Sequence, residues 1–187
     1  MKHKHRRTEP RAFAPALALL LAAGHAVLSG ASAQKIDAKV DAALARFVKE
    51  VKGGQEFLQA AKGVLVFSGV IKAGLGIGGE HGEGALRIGG RTVDYYSITS
   101  ASIGFQFGAQ ARTQVVLFMN DKVLNEFRNS EGWKAGVDGS VALATLGAGG
   151  AIDSETAKQP IIGFIFSNKG LMYNLTFEGS KISKMDK

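Results

Sequence analysis

The hydrophobic rhythm of the chain changes at Gly63, from a period of 3.6 to one of 2, and that change limits what it can fold into. Upstream, Ile36, Val40, Ala43, Leu44, Phe47, Val48 and Val51 recur at the i, i+3, i+4 spacing that gathers apolar side chains on one helix face. Asp37 and Asp41 near the start and Lys49 and Lys52 near the end suit the helix dipole. The pattern predicts an amphipathic helix over residues 36–52, stopped by the paired glycines, and a short second helix over 55–62.

Downstream the period falls to 2. Residues 64–67 are β-rich, and 85–88 and 92–98 flank Gly89-Gly90, a hairpin signal. Ile103, Phe105, Phe107 and Ala109 alternate with glycine and glutamine, and 115–119 continue as a buried strand. Asn120 stands where it can cap a short helix near 121–129 carrying Val123, Leu124 and Phe127, with Trp133 beyond it as a core anchor. Further strands are expected over 137–146, 161–166 and 171–177, the last two joined by a turn at 167–170. The fold class is therefore α+β, mainly β. An antiparallel sandwich or barrel-like core of about seven strands carries an N-terminal amphipathic helix and a short helix near 121–129.

The first 33 residues read as a signal peptide rather than part of that core. Lys2, Lys4, Arg6, Arg7 and Arg11 precede an apolar run over 12–28, and Ala31-Ser32-Ala33 supplies a small-residue cleavage site before Gln34. Seventeen residues of helix span about 26 Å, short of the roughly 30 Å of bilayer hydrocarbon. The expected organisation is a signal peptide, 1–33, and a single domain, 34–187, periplasmic or secreted after cleavage and peripheral to a membrane at most.

Removing the leader changes the charge argument. The chain has 23 basic and 16 acidic residues; the leader takes 5 and 1, leaving 18 and 15, a net of +3. With its lysines scattered, such a chain is a poor case for nucleic acid. Three of the four histidines lie in the leader, leaving His81, and there is no cysteine. That removes nearly all zinc sites, thiol nucleophiles and most triads, so no catalytic residue, metal or cofactor is expected. Glu80, Glu83, Asp138 and Asp153 lack the spacing of a calcium loop and read as solvated carboxylates.

Gly74, Gly76 and Gly79 satisfy the G-x-G-x-x-G spacing of a dinucleotide-binding loop. A pyrophosphate there needs a helix N-terminus, whereas Glu80-His81-Gly82-Glu83-Gly84 supplies two carboxylates and two helix-breaking glycines. No nucleotide is expected. The glycines are read instead as strand bends or places of close backbone approach, with His81 on an exposed turn and a second cluster at 147–150 read likewise.

Five ordered blocks, AKGVLVF (61–67), KAGLGIGGEHGEG (72–84), YYSITSASIGFQFGAQ (95–110), FRNSEGWKAGVDGSVA (127–142) and GFIFSNKGLMYNLTFEGSKI (163–182), resemble the SYLF domain family. The resemblance implies a lipid-binding domain. Eukaryotic members bind phosphoinositide membranes and in some cases actin; bacterial members include exported envelope proteins and lipoproteins, whose lipidated cysteine this chain lacks. It also implies that an N-terminal amphipathic segment contributes to membrane contact. Lys35, Lys39, Arg46 and Lys49 would then meet lipid phosphates while Ile36, Val40, Leu44 and Phe47 enter the interface. The competing reading is that this apolar face packs on the sheet, with lipid taken by an apolar groove rimmed by Lys62, Lys72 or Arg112. The expected function is that of an exported, non-enzymatic domain binding phospholipids or a membrane surface. An envelope structural module with a protein partner is the alternative.

Overall fold

A computed structural model describes residues 16–104, 110–144, 151–167, 170–172 and 175–187. Two helices lead, α1 (Ala16–Glu50) and α2 (Gly54–Ala60). They are followed by β1 (Gly63–Ile88), β2 (Arg91–Gly104), β3 (Gln110–Phe118), α3 (Asp121–Arg128), β4 (Trp133–Lys134) and β5 (Ala142–Leu143). A 3-10 turn (Thr156–Lys158), β6 (Ile161–Ser167), β7 (Gly170–Leu171) and β8 (Ser180–Met185) complete the described elements. The α+β, mainly β class is as expected, in the form of a sheet curled into a half-barrel. Its order is β4-β8-β2-β1-β3-β6-β5, with β7 on β6. All pairings between these strands are antiparallel except β5 with β6.

Side-chain alternation gives the sheet two apolar faces. On the inner face Leu65, Phe67, Leu86, Tyr96, Ile98, Val116 and Phe118 meet Leu124 and Phe127 of α3 and Trp133. On the outer face Val64, Val66, Val115, Leu117, Phe164 and Phe166 meet Ile36, Val40, Ala43 and Phe47 of α1. Strands covered on both sides carry continuous apolar runs, which is why 64–67 and 115–118 show no alternation in polarity.

Several local expectations hold. Gly89 and Gly90 both take positive φ, +57° and +80°, the backbone of a two-residue hairpin turn whose twist matches its strands. Asn120 Oδ1 accepts from the Val123 backbone N–H at 3.1 Å, capping α3, whose Leu124 and Phe127 are buried. Trp133 is buried as a core anchor.

Others are corrected. The apolar stripe of residues 36–50 lies within a longer helix beginning at Ala16. The glycine stretch is a continuous part of β1, paired from Gly76↔Gly104 to Ile88↔Arg91, so His81 stands in a strand opposite Thr99 rather than on a turn. The expected close approach is found at two glycines of the stretch: a Cβ on Gly84 would overlap the Val66 carbonyl oxygen, and one on Gly82 would lie 2.7 Å from Val70 Cγ2. The two halves of β1 thus fold against each other.

Of the expected strand over 137–146, the described part holds only Ala142–Leu143, because Asp138 Oδ2 accepts from the Lys134 backbone N–H at 2.6 Å and holds a turn that leaves Val137 78% exposed; 145–146 lie outside the described residues. Of the expected strand over 171–177, Leu171 lies in β7 and Leu175 and Phe177 lie outside any strand, while 173–174 fall outside the described residues. The sheet takes Ser180–Met185 instead, a polar segment with only Ser180 and Ile182 buried. The alternating run that starts at Ile103 continues β2 to Gly104, while 105–109 and the glycine cluster at 147–150 lie outside the described residues.

Candidate functional site

The residues that the resemblance implies for membrane contact are divided between two sides of α1. Ile36, Val40 and Phe47 are 6%, 0% and 0% exposed, packed on the outer face of the sheet. Phe47 meets Phe164 edge to face at 4.7 Å. In this fold those three side chains are core, not available to a lipid interface. Leu44 is half-buried at the side of the same contact.

The polar side chains of α1 also divide. Arg46 is committed: its Nε donates to Glu50 at 2.6 Å, its guanidinium to the Ser167 carbonyl, and it lies 5.5 Å over the Phe166 ring. Asp37 accepts from Thr92 Oγ1 at 2.7 Å and from the Tyr95 hydroxyl at 2.9 Å, while Arg87 reaches Asp41 at 2.7 Å. These bonds fasten α1 to the β1–β2 hairpin. Burial, and then the bond to Asp37 with its charge, push the Tyr95 hydroxyl above the usual tyrosine range. Lys35, Lys39 and Lys49 remain exposed. At about 100° per residue they fall within roughly one quadrant of the helix, away from the packed face.

Two concave regions adjoin these elements. Between α1, α2 and the hairpin, Leu44, Leu58, Ala61, Val64 and Arg87 line a cleft of about 410 Å³. It is mostly apolar, but Lys62, Lys72 and Arg112 are not among its lining residues. Lys72 and Arg112 instead meet at the far end of the inner face, where they line a cavity of about 330 Å³ with Glu80, Ser100, Gln114 and Ser180. Of the three cations expected to rim one groove, the structure brings these two together, in surroundings that mix polar side chains with Ala101, Ile165 and Leu175.

The inner cavity follows from strand register. Phe118 and Val116 point inward on β3, so Gln114 and Arg112, at the same parity, do as well. A bulge between Ser68 and Val70 on β1 shifts the parity of that strand, so Phe67 and Val70 both face inward and Lys72 follows them. Arg112 Nη1 lies 3.1 Å from Glu80 Oε1, and Lys72 Nζ lies 3.9 Å from the same oxygen. Gln114 and Glu80 were missed as site residues by sequence reasoning; the alternation back from Phe118 was the signal that could have found Gln114.

The four carboxylates considered for calcium are engaged separately. Glu80 holds Arg112, Glu83 accepts from Lys187 at 3.3 Å, Asp138 holds its turn, and Asp153 accepts from the Thr156 backbone N–H. Among the described residues no group of three potential metal ligands is gathered, and no helix is long and apolar enough to cross a membrane.

A family model described as Ysc84, a Las17-binding protein actin regulator, matches residues 99–187. The match begins inside β2 and takes in the last two of the five sequence blocks whole and most of the third. No curated protein matches the chain.

Proposed function

We propose, from the match of residues 99–187 to the Ysc84 family model, that the chain is a SYLF-type, exported, non-enzymatic domain that binds anionic phospholipid surfaces. The family match is the observation that carries the reading. The sheet extends the structural unit beyond the match, since β1 pairs with both β2 and β3 and cannot be removed without dividing it.

The mode of contact is electrostatic. Lys35, Lys39 and Lys49 stand exposed on α1 while the apolar face beneath them is used by the sheet, so the helix lies on headgroups without inserting. A single histidine outside the leader and no cysteine favour binding over catalysis. The leader is removed before Gln34, within the run of α1, and N-terminal sequencing of the exported protein should return Gln34; a mature chain that keeps residues 12–28 would make the leader an anchor.

Vesicle co-sedimentation tests the surface. Lys39→Glu with Lys49→Glu should leave folding unchanged and weaken binding to anionic vesicles by about 1 kcal/mol per residue changed, with the effect screened by salt. Unchanged binding would remove the contact from α1. A protein partner is the second reading, favoured by the Las17-binding description of the matched family; absence of vesicle binding in the wild-type chain would leave it standing.

A further inference from the structure

Removal of the leader before Gln34 turns an internal glutamine into the first residue of what remains of α1. Gln34 and Lys35 are both exposed, and no described residue bonds the Gln34 side chain. The helix behind it is fixed almost to the cut: Ile36 is buried on the sheet, and Asp37 accepts from Thr92 and Tyr95. In the uncut chain two things keep this glutamine inert. Its nitrogen is an amide, and the preceding turn of helix crowds a side chain that folds back toward its own backbone. Cleavage removes both, leaving an amine and open space ahead of it. The new amine lies at the positive end of the helix dipole beside Lys35, which disfavours its charged form. Nearby carboxylates are already engaged. Asp37 lies 3.6 Å from Arg87, and Glu83 lies 3.3 Å from Lys187, which also reaches Ser32 Oγ at 3.0 Å across the cut.

We propose, resting on cleavage before Gln34, that the mature chain is modified there by closure of the N-terminal glutamine to pyroglutamate. The neutral α-amine attacks the side-chain carboxamide carbon Cδ. A bond forms from the backbone nitrogen to Cδ, closing a lactam, and the bond from Cδ to Nε2 breaks. The attacking nitrogen gives up one proton to the departing group, which leaves as ammonia. No oxidant, cofactor or second substrate enters. The ring removes the terminal positive charge from the end of the helix where it is least favourable. Its remaining N–H needs no helical acceptor, because the first N–H groups of any helix have none within it. Mature α1 then begins without a free amine, closed to aminopeptidases, with Lys35 and Lys39 as its first cations.

Tandem mass spectrometry of the N-terminal peptide of the exported protein, taken at harvest, is the test. The expected peptide starts at position 34 and is lighter by one ammonia than the open sequence. An open Gln34 terminus, including one that closes only on storage of the purified protein, would overturn the modification and leave the cleavage intact. A peptide that starts elsewhere, or retains residues 12–28, would overturn the cleavage and the modification with it. Gln34→Asn is the control. Its side chain is one methylene shorter, so the same closure would need a strained smaller ring, and the exposed position leaves folding unchanged. This variant should keep its free amine and lose its first residue to an aminopeptidase, while the wild type resists. Loss of the first residue from the wild type at the rate seen in Gln34→Asn would be fatal to the proposal.

Discussion

The two faces of the half-barrel are built from the same strands and solve burial differently. The outer face is apolar and is closed by a separate element, with Phe47 of α1 set between Phe164 and Phe166. The inner face closes on itself, by bringing Gly82 and Gly84 against Val66 and Val70 of the same strand, and it changes from aromatic to charged along its length. A face covered by a helix must be apolar throughout. One that curls around its own interior can leave an opening for polar side chains at one end.

The largest expected effect lies on the outer face. Phe47→Asp removes a fully buried ring and leaves an unpaired carboxylate against Phe164, which should cost about 4 kcal/mol or more. Urea unfolding reads this directly. A variant that kept wild-type stability would show that α1 does not need the sheet and would return its apolar face to the membrane.

On the inner face the corresponding change is one methyl group. Gly84→Ala forces a Cβ into the Val66 carbonyl, where backbone must move, and should cost about 3 kcal/mol. Gly79→Ala sharpens the contrast: its Cβ would meet only the Ser100 carbonyl at 3.5 Å, an ordinary contact, so a change within about 0.5 kcal/mol is expected. Equal costs at the two positions would mean that glycine is needed along the whole stretch, not where the halves of β1 meet.

The third test concerns pH. Burial, and then the charge of Asp94 partly offset by Arg128, push the Tyr96 hydroxyl up to about 12. The hydroxyl has no hydrogen-bond partner. The unfolded chain ionises near 10 and the folded chain does not, so stability is full below pH 10 and falls as pH rises toward 12. The loss should be about 2 kcal/mol. Tyr96→Phe should flatten that fall, leaving the part carried by Tyr95, and should be neutral or slightly stabilising at pH 7. Melting curves between pH 8 and 12 check both, and an unaltered alkaline slope in Tyr96→Phe would place the responsible group elsewhere.

What was legible in the sequence was local. The stripe on α1, the Asn120 cap and the Gly89-Gly90 hairpin each depend on residues within a few positions of one another, so their spacing reports them. The buried polar end was half legible. Arg112 and Gln114 continue the alternation of Val116 and Phe118, but Lys72 reaches the same face only because the bulge at Gly69 shifts the parity of β1. Without that extra residue, strict alternation from Phe67 would have turned Ile71 inward and Lys72 outward.

Spacing along the chain was enough for the class of the fold and the order of helix and sheet, because side-chain period is a property of the local backbone, whereas the two apolar faces emerged only on folding. The sequence also carried the family resemblance. Tertiary structure decided the rest. Glycine-rich 74–84 became strand because β2 offered it a full register of backbone partners, and polar Ser180–Met185 took a place in the sheet that Leu175 and Phe177 did not. Backbone hydrogen bonds are indifferent to side-chain polarity, so which segments complete a sheet depends on which edges remain unpaired once the core has packed. The same packing decided the use of α1: its apolar stripe fits a membrane or a sheet equally well in sequence, and the outer face of β1, β3 and β6 was there to take it.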